Sequence, residues 1–260
     1  MTRFEQLYGI ALTKRRRTEI MIALMALEVV FAFSYLGFII LPPISITTMH
    51  LLALFAAMVL GTKESVAVAM IFALTSMWQA TVSGVQYSDV IFSPSRSGMP
   101  MASLLLNAAR PLAGFVSGVL FDACFAQKRK HVYGCIALTV VASTWVYGTL
   151  TYLFMALLFP KTGVTVAMAL TAWMEPGNLA VYLLTAALMP LIHWGLSRPR
   201  MKRYLAVVGG ENSPVRPRGL HAYYGMMFAA AALCAAVMLH VLDPLKVVLS
   251  QPGYTVTFAA

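Results

Sequence analysis

The sequence predicts an all-α integral membrane protein, a six-helix bundle with an additional C-terminal helix, and three observations carry that prediction. Of 260 residues, 60% are hydrophobic and only 11% are charged, against about 45–50% and about 25% in ordinary soluble domains. Apolar runs of membrane-crossing length recur along the chain. The basic residues gather in alternate loops, as they do in the cytoplasmic loops of helical membrane proteins. A water-soluble globule is excluded, and so is a disordered chain, which needs low hydrophobicity.

About 20 apolar residues cross a hydrocarbon core of roughly 30 Å, and spans are expected at 18–41, 47–60, 65–83, 102–126, 132–158, 178–197 and 221–242. The first follows the basic run Lys14–Arg17. It is long enough to span and carries no small-residue cleavage site, so it reads as a retained helix and not as a signal peptide. The second is short and must sit largely against protein. Between the third and fourth, Gly84–Met101 (GVQYSDVIFSPSRSGMPM) is rich in helix-breaking and turn-forming residues and too polar to cross lipid. After the sixth comes the basic, Pro-containing stretch Arg198–Gly219, then the Ala- and Met-rich run His221–Leu242, which either spans or lies at the interface. The expected organisation is a cytoplasmic basic segment, 1–17, a six-helix domain, 18–197, and a basic loop with an apolar helix and tail, 198–260.

The formal charge of +10 follows this topology. With the N-terminus inside, 15 of the 19 Lys and Arg residues fall on the inner side: Arg3, Lys14–Arg17, Lys63, Lys128–Lys130, Arg198, Arg200, Lys202, Arg203, Arg216 and Arg218. Arg96, Lys161 and Lys246 fall outside, and Arg110 lies within a span. The expected partner of the basic surface is therefore the lipid bilayer, and nucleic acid is not expected. Cys124, Cys135 and Cys234 lie in apolar stretches without a CxxC pair, which suggests neither a disulfide framework nor a metal site.

A few residues are out of place in such spans. Arg110, in the fourth, costs about 2.5–3.5 kcal/mol at a bilayer centre unless it faces protein or a watered cavity. It either bonds loop carbonyls or meets an anionic ligand group. Glu28, midway along the first, either pairs with Arg110 or His50 or contacts ligand. His50 opens the second span, where backbone N–H groups favour anions, though a lone His is more often a satisfied core residue. Asp122, next to the QKRKH run, reads as an interfacial ion pair. Trp78 and Gln79, with Tyr87 and Phe92 from the following loop, form an aromatic and amide-lined pocket if that loop folds back; an aromatic belt at the interface accounts for Trp78 equally well. Trp173, with Glu175, lies on the same side. Gly114 and Gly118 make a GxxxG, and Ala23, Ala26 and Ala32 line part of the first span, which together imply close helix packing.

Motifs for catalysis are scarce. The sequence has no GxxxxGK[ST] loop, HExxH helix or GxSxG elbow, and its carboxylates are scattered singly, so catalytic and metal-binding residues are not assigned. No long internal repeat of the kind common in secondary carriers is visible.

Taken in order, ILPPISITTMHLLALFAAMVLGTKESVAVAMIFALTSMWQA, then Phe92–Pro94 with Gly98 and Pro100, then NAARPLAGFVSGVLF resemble the substrate-binding S component of energy-coupling factor transporters over about residues 18–197. The most specific parts are Ile46, Thr47 and His50 at the second span, the Leu60-Gly61-x-Lys63 turn, the Ser76–Ala80 end of the third span, and the FSP loop. Arg110 precedes Pro111 where members of this look often carry Pro then Arg, and the family's AxxxA dock is met only loosely, by Ala23 and Ala26. The resemblance implies a six-helix membrane subunit that captures a vitamin or related micronutrient, of the pantothenate or cobalamin class, near its outer face. It also implies partners: a transmembrane scaffold and two cytosolic ATPases that use the ATP, while this chain binds no cofactor. Glu28, His50, Trp78, Gln79, Tyr87, Phe92, Arg110 and Trp173 are the expected substrate contacts, and Ala23 and Ala26 the expected dock. The protein is then a multi-pass cell-membrane protein with a cytoplasmic N-terminus and no enzyme activity. The alternatives are a free-standing ion-coupled carrier, in which Glu28 titrates, and an integral-membrane lipid-modifying enzyme, in which Glu28, His50, Arg110 and Asp122 converge.

Overall fold

The computed structural model describes residues 3–33, 37–41, 44–83, 90–126, 132–171, 174 and 176–209. Four helices in this part are long and apolar enough to cross a membrane: α4 (Thr62–Ser83), α5 (Pro100–Ala126), α6 (Val132–Leu158) and α8 (Pro176–Ser197). Their outward faces carry exposed Leu74, Leu105, Leu138, Leu157, Leu183 and Leu191, a row of large apolar groups that water would penalise and hydrocarbon does not.

Two further helices complete the bundle, and a short helix, α7 (Val166–Thr171), lies between α6 and α8 in the chain. Helix α2 (Lys14–Ala32) starts where the Thr13 hydroxyl accepts a hydrogen bond from the Arg16 amide at 3.2 Å, a side-chain cap on an otherwise orphan donor. Helix α3 (His50–Val59) has 10 residues, about 15 Å at 1.5 Å per residue, half a bilayer core. It is tolerated because it is enclosed: Ala56, Ala57 and Met58 are fully buried. The expected spans 65–83, 102–126, 132–158 and 178–197 agree with α4, α5, α6 and α8 to within a few residues.

The first expected span, 18–41, needs correction. Its helix ends at Ala32, and Phe38–Leu41 (β1) pairs antiparallel with Ile44–Thr47 (β2) in the register Phe38↔Thr47 to Leu41↔Ile44. Pro42 and Pro43 cannot continue a helix, and the isoleucines on either side favour extended backbone, so hydropathy alone overran a helix end. The basic segment 1–17 also holds more structure than charge predicts, because Arg3–Tyr8 forms a short helix, α1. The seventh span expected at 221–242 lies outside the described residues, as do Cys234 and Lys128–Lys130.

Helix α1 caps one end of the bundle. The buried Arg3 guanidinium donates to the carbonyls of Ala57 and Gly118, at 3.1 Å to the latter, and pairs with Asp122. Asp122 also accepts from the Thr62 hydroxyl at 3.0 Å. The expected ion pair at Asp122 thus forms with a residue more than a hundred positions away in the chain. Tyr8 meets His193 of α8, hydroxyl to Nδ1 at 3.1 Å, and burial pushes its phenol above the ordinary range, so it stays neutral. Arg17 holds Glu64 with a two-pronged contact of 2.7 and 2.9 Å and also reaches the Leu60 carbonyl. That grip closes the α3–α4 turn, whose Gly61 sits at φ +132°, a conformation that strains any side chain. At this basic end Arg198 lies 3.8 Å over the Trp194 ring, and α9 (Pro199–Gly209) continues with Arg200, Lys202 and Arg203. Arg3→Ala is expected to lower stability by about 1–3 kcal/mol through the unpaired carbonyls it leaves; thermal unfolding of the detergent-solubilised chain reads this directly, and an unchanged midpoint would assign α1 no structural part.

The contact between α4 and α5 is made by small residues. Ser65 donates to the carbonyls of Ala53 and Gly114, each at 3.0 Å, joining α3, α4 and α5 at one point. Gly114 and Gly118 face Ser65, Ala69 and Thr62, so the GxxxG works within the chain. The buried thiols of Cys124 and Cys135 lie side by side where α5 and α6 meet.

Candidate functional site

Opposite the basic end, five helices bring polar side chains into the interior. Arg110, buried in α5, is held on both prongs: one Nη donates to Asn107 Oδ1 and the other to Ser76 Oγ, each at 2.7 Å. Its guanidinium plane lies between two aromatic rings, with Phe72 at 4.7 Å and Phe92 at 4.8 Å, so cation–π attraction adds to the hydrogen bonds. Among the described residues its Nε has no hydrogen-bond partner. Arg110 immediately precedes Pro111 inside α5; proline supplies no N–H for the carbonyl four residues back.

The loop before α5 is tied down from below. Asn107 donates to the Phe92 carbonyl at 2.9 Å, Ser103 donates to the Ile91 carbonyl at 2.6 Å, and the Ser93 and Thr81 hydroxyls share a 2.7 Å bond. The FSP segment therefore folds back over the bundle and delivers the Phe92 ring to Arg110. Sequence reasoning offered Arg110 a structural role on loop carbonyls; Asn107, one helical turn earlier, performs it instead.

A cavity adjoins Arg110. It is lined by His50, Phe72, Arg110, Ser143, Thr144 and Tyr147 among others, and its empty space amounts to about 300 Å³ counted out to an open mouth. The closed inner part holds little more than a water-sized group. His50 and Tyr147 stack with ring centroids 5.7 Å apart and 16° between planes, and Phe72 leans on the same tyrosine at 6.0 Å.

The expected substrate contacts divide into four groups. His50, Phe92 and Arg110 meet at this site, and Glu28, 0% exposed, lies within electrostatic reach of Arg110 and Tyr147. Among the described residues neither Glu28 oxygen makes a hydrogen bond, and its tie to Arg110 is electrostatic rather than a direct contact. Gln79 donates to the Ala32 carbonyl at 2.6 Å and so ties α4 to the end of α2. Trp78 is 60% exposed and does not line the cavity. Tyr87, Trp173 and Glu175 lie outside the described residues. Ala23 and Ala26 are half-buried on α2. Asp122 sits at the far, basic end, so Glu28, His50, Arg110 and Asp122 do not converge.

Sequence reasoning missed Ser76, Asn107, Ser143 and Tyr147 as site residues. A signal existed for the last two. Thr139, Ser143, Tyr147 and Thr151 recur every four residues along α6, a polar stripe along one side of a helix. Asn107 stands three residues before Arg110, on the same helix face.

Comparison with known proteins agrees with the geometry. A search of curated proteins gives no match. A family profile for the substrate-specific component of ECF transporters matches residues 19–198, the stretch that runs from within α2 to the end of α8 and holds every residue of the site. An enclosed polar site in a helical membrane bundle is what a substrate-specific subunit requires, and the extent of the match carries the conclusion: the chain belongs to the family of substrate-specific components of ECF transporters, and it is a multi-pass membrane protein.

Proposed function

We propose that this chain captures a small acidic micronutrient, pantothenate in kind, in the cavity beside Arg110 and presents it for ATP-driven uptake. The observation that carries the reading is the preset guanidinium. Arg110 is buried, fixed by Ser76 and Asn107 and flanked by Phe72 and Phe92, with Nε still to satisfy. A carboxylate of the ligand satisfies it at a buried guanidinium, where a charge-assisted bond is strong.

In this reading the basic end, with Arg3, Lys14–Arg17, Lys63, Arg198, Arg200, Lys202 and Arg203, faces the cytoplasm by the positive-inside rule. The site then lies toward the outer face, with the FSP loop as its lid. The sequence contains no phosphate-binding loop, so the ATP is hydrolysed by two partner ATPases, coupled through a transmembrane scaffold on which this subunit docks. Its own work is recognition, and it needs no bound cofactor. Affinity purification from mildly solubilised membranes, with mass spectrometry of the accompanying chains, is expected to recover a membrane scaffold and two ATPases. Recovery of the chain alone, with uptake that follows an ion gradient, would replace this reading with a free-standing carrier.

A further inference from the structure

The cations of the basic end fall into two sets. Those near the N-terminus are paired within the chain: Arg3 with Asp122, Arg15 and Arg16 with Glu19, and Arg17 with Glu64. Arg198, Arg200, Lys202 and Arg203, where α8 turns into α9, pair with no carboxylate among the described residues. Arg198, Arg200 and Arg203 are exposed. Arg200 and Arg203 stand one helical turn apart and repel one another, so this corner is stabilised by an anion from outside the chain.

The depth of the corner follows from one face of α8. Leu184, Leu191, Trp194 and Arg198 recur at helical spacing, and all four are exposed. From Trp194 to Arg198 the helix rises about 6 Å, and the Arg198 guanidinium lies 3.8 Å over the indole ring. Leucine, then tryptophan, then arginine is the order of hydrocarbon, interface and headgroup layer. Only Arg198 separates α8 from α9, so α9 begins at headgroup depth. Within it Met201 and Leu205 share one side, with Leu205 packed against the core of the bundle, and Arg200 and Arg203 share another. A short helix of this pattern lies in the plane of the membrane surface.

We infer that the α8–α9 corner binds the phosphate of an anionic phospholipid through Arg198, Arg200 and Arg203, beside the indole of Trp194. Guanidinium forks match phosphate oxygens, and a zwitterionic lipid brings a cation of its own that these arginines repel. Exposed Leu184 and Leu191 on the same face of α8 offer a track for the acyl chain, which a free phosphate would leave unused. Diffuse attraction to a negative surface would count every cation of this end alike, whereas a site counts these three.

The test uses the full chain in detergent micelles that hold equal amounts of phosphatidylglycerol and phosphatidylcholine, with the retained lipid weighed by native mass spectrometry. The chain is expected to keep about tenfold more phosphatidylglycerol than phosphatidylcholine, and to lose that preference in about 1 M sodium chloride. Arg198→Gln/Arg200→Gln/Arg203→Gln is expected to keep the two lipids about equally. Arg15→Gln/Arg16→Gln, which removes cations already paired with Glu19, is expected to retain the preference. If the triple variant does not fold, Arg198→Gln alone and the salt dependence carry the same test. Equal retention of both lipids by the unaltered chain would overturn the inference and leave the corner to a protein partner. An equal loss in the two multiple variants would overturn it in favour of diffuse charge. Thermal unfolding separates the sources of phosphate: stabilisation by inorganic phosphate as large as that by phosphatidylglycerol would overturn the lipid assignment.

Discussion

Arg110→Ala is expected to eliminate ligand binding while the chain still folds. Removing one member of a buried, hydrogen-bonded charge pair between protein and ligand costs about 2–5 kcal/mol, and the lower figure already weakens binding roughly thirtyfold. The effect on the fold is smaller because two opposing changes meet. The truncation leaves Ser76 Oγ and Asn107 Oδ1 without their donor and opens a gap between Phe72 and Phe92, but it also relieves the interior of a desolvated cation. Asn107 keeps its grip on the Phe92 carbonyl, so the loop stays down. Arg110→Lys is the sharper variant. It retains the charge, but a single ammonium cannot span both Ser76 and Asn107 and still present an edge to the cavity. Both variants are therefore expected to elute as folded monodisperse protein and to show no binding by calorimetry. Full affinity in Arg110→Lys would mean that only net charge is read at this position, and full affinity in Arg110→Ala would place the ligand elsewhere.

The largest expected effect on stability is at Gly118. A Cβ there would lie 2.5 Å from both the Cα and the Oγ1 of Thr62, and the first of these is backbone that cannot rotate aside. The same Gly118 offers its carbonyl to Arg3, and Thr62 offers its hydroxyl to Asp122, so pushing α4 from α5 loosens the polar network of the basic end as well. Gly118→Ala is expected to destabilise by about 1–3 kcal/mol, in line with overpacked interiors, and Gly118→Leu to prevent folding. Gly134 on α6 is the control, since nothing lies within 4 Å of the Cβ position there. Gly134→Ala is expected to be neutral or to stabilise by up to about 1 kcal/mol, the helix-propensity difference. Thermal unfolding of the three variants side by side decides the matter; equal midpoints for the two alanine variants would show that α4 and α5 have slack at this contact.

The residues of the site were legible in unequal measure. Arg110, Glu28 and His50 stood out from sequence because ionisable groups are costly inside a span, and the structure brings them to one end of the bundle. Phe92 was legible through its loop, whose turn residues forbid a helix and whose aromatics invite a fold back over the pocket. Ser76 was not, because a hydroxyl in an apolar helix is common and cheap, and only its partner makes it notable. Trp78 shows the reverse: a large aromatic next to a candidate loop invites a ligand role, but the rotation of two positions about the α4 axis, about 200°, leaves it exposed while Ser76, two residues earlier, meets Arg110.

Composition and residue order by themselves determined that this is a helical membrane protein, where its long spans lie and which ends carry the positive charge. Those features follow from the transfer of each segment between water and hydrocarbon, which adds up residue by residue along the chain. Only the tertiary structure decided that Asp122 pairs with Arg3, that the first helix stops at Ala32 ahead of a strand pair, that the GxxxG is spent within the chain, and that Ser76 and Asn107 fix the guanidinium beside Tyr147. These depend on the rotation of each helix about its axis and on close contacts between residues far apart in sequence, and hydropathy, which scores one segment at a time, carries no information about either.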